Sequence, residues 1–159
     1  MEISSADIND AKELYRLQRL SFESEAQMVG SRDLPALTET EEENIRDFGR
    51  WSVLKITDGG KIAGAVRYRH DGGAVEIGRL MVHPDYRRRG LAKRLLSEVD
   101  KLHPDEVKEL YTCTKSLINI RLYEKMGYVP YAEHAEESGL SLITKKSFCS
   151  TAGAWGKFR

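Results

Sequence analysis

The sequence predicts a mixed α/β chain of the α+β kind, with one mostly antiparallel sheet flanked by helices. Three observations carry this. Three strand-like runs follow one another, joined by Asp58-Gly59-Gly60 and Asp71-Gly72-Gly73, and such turns suit tight hairpins because glycine tolerates positive φ. Leu91, Leu95, Leu96, Val99 and Leu102 then recur at helical spacing, with Lys93, Arg94, Glu98, Asp100 and Lys101 on the other face. The apolar run Glu109–Thr114 comes after that helix, and a strand-helix-strand crossover brings its two strands parallel.

In chain order, Met1–Ser5 reads as a short strand. Asp7 or Asn9 can cap a helix that turns Ile8, Ala11, Leu14, Leu17 and Leu20 inward. Ser24–Leu37 contains Gly30 and Pro35 and reads as a loop. Thr40-x-x-Glu43 can form a capping box for a short acidic helix with Ile45 and Phe48. Strands over Trp51–Thr57, Lys61–His70 and Ala74–Val82 precede a helix from about Arg88 to Leu102, which Pro104 stops. Tyr128–Glu133 and Leu140–Lys146 read as a closing hairpin with its turn at Glu136–Gly139, and Ser147–Arg159 as a tail.

At 159 residues the chain is expected to form one domain, 1–159, with a sizeable core. Lys plus Arg and Asp plus Glu both number 25, a formal net charge of +0. There is thus no overall cationic field of the kind that draws proteins onto nucleic acid or anionic membranes. No segment approaches the roughly 20 apolar residues that span a bilayer, and a soluble, cytoplasmic protein is expected. Cys113 and Cys149 lack metal-ligand spacing; no metal site is expected, and Cys113 reads as a buried thiol.

The most informative stretch is Arg87-Arg88-Arg89-Gly90-Leu91-Ala92, placed directly after the apolar run Ile77–Val82 and the breaker His83-Pro84. It reads as a strand delivering an anion-binding turn into a helix. Free N–H groups and the dipole at a helix start favour an anion, and the three arginines add cations suited to a pyrophosphate. In isolation the same run reads first as an ordinary loop with a solvated basic cluster, and only its surroundings favour the anion-binding turn.

With its preceding strand, this segment resembles the cofactor core of the GCN5-related N-acetyltransferase family, whose pattern is Arg or Gln, two residues, Gly, one residue, then Gly or Ala. Leu122-Tyr123-Glu124-Lys125-Met126-Gly127-Tyr128 resembles the family's later tyrosine-bearing helix. The resemblance implies a sheet whose fourth and fifth strands splay apart, with acetyl-CoA in the wedge. By this resemblance Leu80, Met81 and Val82 meet pantetheine, chiefly through backbone groups, while Arg87, Arg88, Arg89, Gly90, Leu91 and Ala92 hold the pyrophosphate. Family members carry an asparagine seven residues before the tyrosine; Ser116 stands there and Asn119 one turn later, and either can supply the polar contact. Tyr123 is implied as the acid that protonates the departing thiolate. Glu76 is a candidate base for the amine, or a carboxylate paired across the hairpin. His83 reads as a solvent-facing turn residue.

The resemblance implies acetyl transfer from acetyl-CoA to the primary amine of a small molecule or peptide. A catalytically silent acyl-CoA sensor and an arginine-run nucleic-acid binder are the alternatives, the latter opposed by the zero net charge. The acceptor stays open; Glu23, Glu25, Glu41, Glu42 and Glu43 favour a cationic amine if they line its side, whereas Phe48 and Trp51 serve as walls or as core. A homodimer through the C-terminal strands is also admitted, with Trp155 and Phe158 available to it.

Overall fold

The computed structural model describes residues 1–135 and 141–147. The turn expected at Glu136–Gly139 and the residues after Ser147, including Cys149, Trp155 and Phe158, lie outside the described residues. Seven strands form one sheet: β1 (Glu2–Ser5), β2 (Ser52–Asp58), β3 (Lys61–Asp71), β4 (Ala74–Val82), β5 (Lys108–Cys113), β6 (Val129–Ala135) and β7 (Ser141–Ser147). Their order across the sheet is β1-β2-β3-β4-β5-β7-β6. Every pairing is antiparallel except that of β4 with β5. Both early hairpins close with two-residue turns, Asp58 facing Lys61 and Asp71 facing Ala74. Gly59, Gly60, Gly72 and Gly73 all have positive φ there, the geometry that matches strand twist.

Among the described residues there are five α-helices: α1 (Ala11–Val29), α2 (Pro35–Thr38), α3 (Glu41–Asp47), α4 (Leu91–Leu102) and α5 (Leu117–Lys125). Leu91, Leu95, Leu96 and Val99 of α4 and Tyr123 of α5 pack with Leu54, Ile56, Val66, Val75, Ile77 and Leu110 of the strands. A second cluster joins Leu14 and Leu17 of α1 to Val53, Ile62, Ala65 and Met81. The alternation of strand residues thus feeds two helical layers.

Four expectations are corrected. Ser24–Leu37 is not a loop: α1 continues to Val29, because Phe22, Ala26 and Val29 extend its buried stripe and pack with Leu34, Leu37 and Cys113. Gly30 does break that helix, as its left-handed C-cap with its N–H bonding Ala26 O. Ile8, Leu20 and Leu102 face solvent, at 57%, 48% and 49% exposure. The helix expected from Arg88 starts at Leu91, since Arg88 and Gly90 both have positive φ. The full capping box belongs to Asp7 and Asp10 ahead of α1; Thr40 does accept from Glu43 N–H, but Glu43 returns to the Thr40 hydroxyl rather than to its N–H.

Candidate functional site

The parallel ladder between β4 and β5 is short, pairing Val75–Ile77 with Lys108–Leu110. Beyond Ile77 and Leu110 both strands continue without pairing each other, so the sheet opens into a wedge. On its other edge β4 shifts register against β3 between Ala65 and Arg67, and Arg79 takes a φ of 39°. Such a bulge bends the strand locally and re-aims its side chains. Two cavities meet at this opening, of about 450 and about 530 Å³.

The first cavity runs from the wedge toward the turn before α4 and is lined by Leu80, Val82, Arg87, Ala92 and Asn119, five of the residues the sequence assigns to the cofactor. Val82 N–H donates to Ser21 Oγ at 3.3 Å, and Arg87 reaches across to Ser24 Oγ at 2.8 Å. Arg88, Arg89 and Gly90 form the exposed turn itself, with Arg89 stacked on Tyr86. Met81 and Leu91 are otherwise placed: their side chains are core residues at 5% and 1% exposure, which leaves their backbone groups for any ligand. Ser116 is fully buried at the N-cap of α5. It accepts from Asn119 Nδ2 at 2.9 Å, and Asn119 also donates to Glu25 at 3.3 Å.

The second cavity lies beyond the bulge and holds Glu76, Trp51, Tyr111 and the guanidinium groups of Arg50, Arg67, Arg69 and Arg79. Glu76 accepts from Arg69 Nε at 3.0 Å, directly across the hairpin. Trp51 carries both Arg67 and Arg69 over its ring, at 4.1 and 4.0 Å from the centroid. Of the five glutamates considered from the sequence, only Glu25 is found in this lining. His83 is half-buried and accepts from Asp85 N–H, a turn residue as expected.

Phe22 and Glu25 line both cavities, so they stand where the two contents meet. Burial pushes the Glu25 carboxyl above its usual range, against the hydrogen bonds from Ser116 and Asn119 that favour its ionised form. Tyr123 lies just behind, 7% exposed and packed near Tyr128. Burial, reinforced by the negative charge of Glu25, drives its phenol well above the ordinary value. Arg67 is the residue sequence reasoning did not reach. Glu25 was named only as one of five glutamates that could line the acceptor side, and its place at the junction of the two cavities depends on the second half of α1, which the Phe22, Ala26 and Val29 spacing marks. Arg67 sits in an alternating strand where a charged residue reads as solvent-facing.

His70, His103 and Glu106 also cluster, with Glu106 bonded to His70 Nε2 at 2.5 Å and His103 Nδ1 at 3.1 Å. None of them lines either cavity, and these hydrogen bonds account for their arrangement. No helix among the described residues is long and apolar enough to cross a membrane.

Solved structures repeat this architecture. The ribosomal-protein-S18-alanine N-acetyltransferase of Escherichia coli superposes with a TM-score of 0.73 at 22% identity, covering 96% of both chains. The PaiA N-acetyltransferase of Thermoplasma acidophilum, solved with coenzyme A, gives 0.71 at 18% identity over 91% of this chain and 98% of its own. UPF0157 protein YqkA of Bacillus subtilis (strain 168) is 28% identical over 119 residues; these are 74% of this chain but 34% of YqkA, so the chain spans about a third of that relative. The profile of the acetyltransferase (GNAT) family matches residues 11–128, most of the chain and every element that builds the wedge, and the chain belongs to that family.

Proposed function

We propose that the chain is an acetyl-CoA-dependent N-acetyltransferase that passes the acetyl group directly to a primary amine. The observation that carries this reading is the unpaired divergence of β4 and β5 beyond Ile77 and Leu110, with an arginine-rich turn at one end and a separate polar cavity at the other. The donor fits the first cavity. The edge of β4 at Leu80 and Val82 offers pantetheine strand-like amide pairing, and the long Ser21 contact to Val82 N–H is readily exchanged for an amide carbonyl. Backbone N–H groups at the start of α4, with Arg87, Arg88 and Arg89, suit the pyrophosphate. Asn119 is the side chain available for the polar contact first sought at Ser116, which is buried beneath it.

The acceptor belongs in the second cavity, so the amine and the thioester meet beside Phe22 and Glu25. A free alkylamine has a pKa of about 10 and must lose a proton before it attacks. Glu76 is one candidate base, but it is held by Arg69. Glu25 is the stronger candidate, because it lines both cavities and burial makes its carboxylate a better proton acceptor than a solvated one. Tyr123 is the residue the resemblance assigns to protonating the thiolate; it lines neither cavity and its raised pKa makes it a weaker acid, so Tyr123→Phe decides the assignment. The working location consistent with acetyl-CoA as donor is the cytoplasm.

Titration calorimetry with acetyl-CoA, followed by a thiol-release assay over a panel of amines, tests the proposal. Binding with turnover is expected. Binding without turnover on any amine favours a silent acyl-CoA sensor, and absence of binding rejects the cofactor assignment.

A further inference from the structure

The second cavity brings together four guanidinium groups, and three of them are matched. Arg50 pairs with Asp47 at 3.4 Å, Arg69 with Glu76 at 3.0 Å, and Arg79 with Glu39. Arg67 differs. Its Nε is shut off from solvent and has no hydrogen-bond partner among the described residues, and no ion pair joins it to a carboxylate there. Glu39 and Asp47 act on it only at longer range, while Arg79 and Arg69 oppose its charge. Burial and the charge of Arg79 bring its pKa down to about 10, so it remains a cation at neutral pH.

The position of Arg67 is built. Trp51 lies under the guanidinium carbon of Arg67, and Gly78 stands opposite Arg67 across β3 and β4. A Cβ at Gly78 would lie 3.1 Å from Arg67 Nε and 3.0 Å from the Trp51 ring, so the missing side chain makes room for both. A half-buried cation with a shut-off, unpartnered Nε and no carboxylate paired to it among the described residues is costly to keep, and a guanidinium fork matches a planar or tetrahedral oxyanion.

We propose that Arg67 is a specificity-determining residue that receives an anionic oxygen group of the acceptor, so that the substrates are amines carrying a carboxylate or phosphate close to the nitrogen. Simple alkylamines and polyamines lack that group. Beside Arg79 and Arg69, they would add positive charge to a cavity in which Asp47 and Glu76 are already paired with arginines. This inference rests on the N-acetyltransferase reading and names its substrate class.

The test begins with acetyl-CoA titration of the full chain, which examines the underlying reading by itself. Thiol release is then compared across L-amino acids, their C-terminal amides, phosphoethanolamine, ethanolamine and spermidine. At least one anionic amine should exceed its neutral counterpart by about tenfold or more in kcat/KM. The preferred partner, amino acid or phosphoethanolamine, tells carboxylate from phosphate. Arg67→Met should bring that ratio to about one, mostly through KM, with acetyl-CoA affinity kept. Arg67→Lys, which retains charge without the fork, should keep part of the preference and covers the case in which the methionine variant does not fold. If acetyl-CoA binds but no amine turns over, the same compounds are titrated into the CoA-loaded protein and followed by tryptophan fluorescence through Trp51. Neutral or cationic amines matching or exceeding the anionic ones, an undiminished preference in a folded Arg67 variant, or binding of none of the anionic amines overturns the inference. Loss of acetyl-CoA binding would instead overturn the reading beneath it.

Discussion

The proposed mechanism rests, at the scale of single residues, on Glu25, which lines both cavities, and on Tyr123, which lines neither but feels the charge of Glu25. If Glu25 is the base, Glu25→Gln should lower kcat by about 100-fold or more, whereas Glu76→Gln should have a smaller effect because Glu76 is tied to Arg69. The pH profile adds a sign. A base must be deprotonated to act, so activity rises with pH through the Glu25 pKa, which burial lifts above the usual carboxylate range. The acidic limb should therefore sit higher than for an ordinary glutamate and vanish in Glu25→Gln. Tyr123→Phe should also cost about 100-fold in kcat with acetyl-CoA affinity retained. Its phenol, raised by burial, should contribute no alkaline fall below about pH 10. Measured pH–rate curves of the three variants separate these assignments. The resemblance singles out Tyr123 through its spacing from Gly127. Glu25 stood in the sequence only as one of five glutamates, because a glutamate in an acidic stretch looks the same whether it is solvated or stands at a buried junction.

The elements show where local pattern suffices and where tertiary packing decides. The three strands β2 to β4 and the apolar face of α4 follow from glycine turns and leucine spacing, and both survive with boundaries shifted by a residue or a few. The second half of α1 does not, since its stripe is completed only by Leu34, Leu37 and Cys113 from other elements. The bulge in β4 was equally hidden; a strand that pairs smoothly and one that kinks at Arg79 have the same alternation. Two glycines convert these observations into measurements. Gly78→Ala should destabilise the fold by ~1–3 kcal/mol in chemical denaturation, because its methyl group overpacks Trp51 and Arg67. Gly90 has open space around the Cβ position and a φ of 75°. Gly90→Val should thus lower stability through backbone strain, by ~1–3 kcal/mol, and weaken acetyl-CoA binding by crowding the turn that faces the pyrophosphate. Unchanged affinity on calorimetry would remove the donor from that turn.

Across the whole molecule, two carboxylates fasten the helical layer over α1 to the sheet, and together they set how the fold responds to acid. Asp10 meets Lys55 of β2 at 2.8 Å. Burial alone would raise its pKa, but the hydrogen bonds from Lys55 and the Asp7 backbone, with the Lys55 charge, overrule it and hold the carboxyl below its usual value. Glu39, just after α2, receives Gln18 of α1, Asn44 of α3 and Arg79 of β4. There too burial pushes upward while the Gln18 and Asn44 hydrogen bonds and the Arg79 charge prevail, leaving the carboxyl lowered. A carboxylate whose folded pKa is depressed binds its proton less readily in the native state than in the unfolded chain. Its stabilisation is therefore fully present above the unfolded value near 4 and is lost as pH falls through the folded value. The melting temperature should accordingly decline as pH drops from about 5 toward 3. Asp10→Asn and Glu39→Gln should each lower the melting temperature at neutral pH and flatten the acid decline. Glu39→Gln should do so more strongly, because Glu39 serves three donors and its loss leaves a second unmatched guanidinium, Arg79, beside Arg67. A Glu39→Gln protein with an unaltered melting profile would show that the α1 layer is held by its apolar cluster alone.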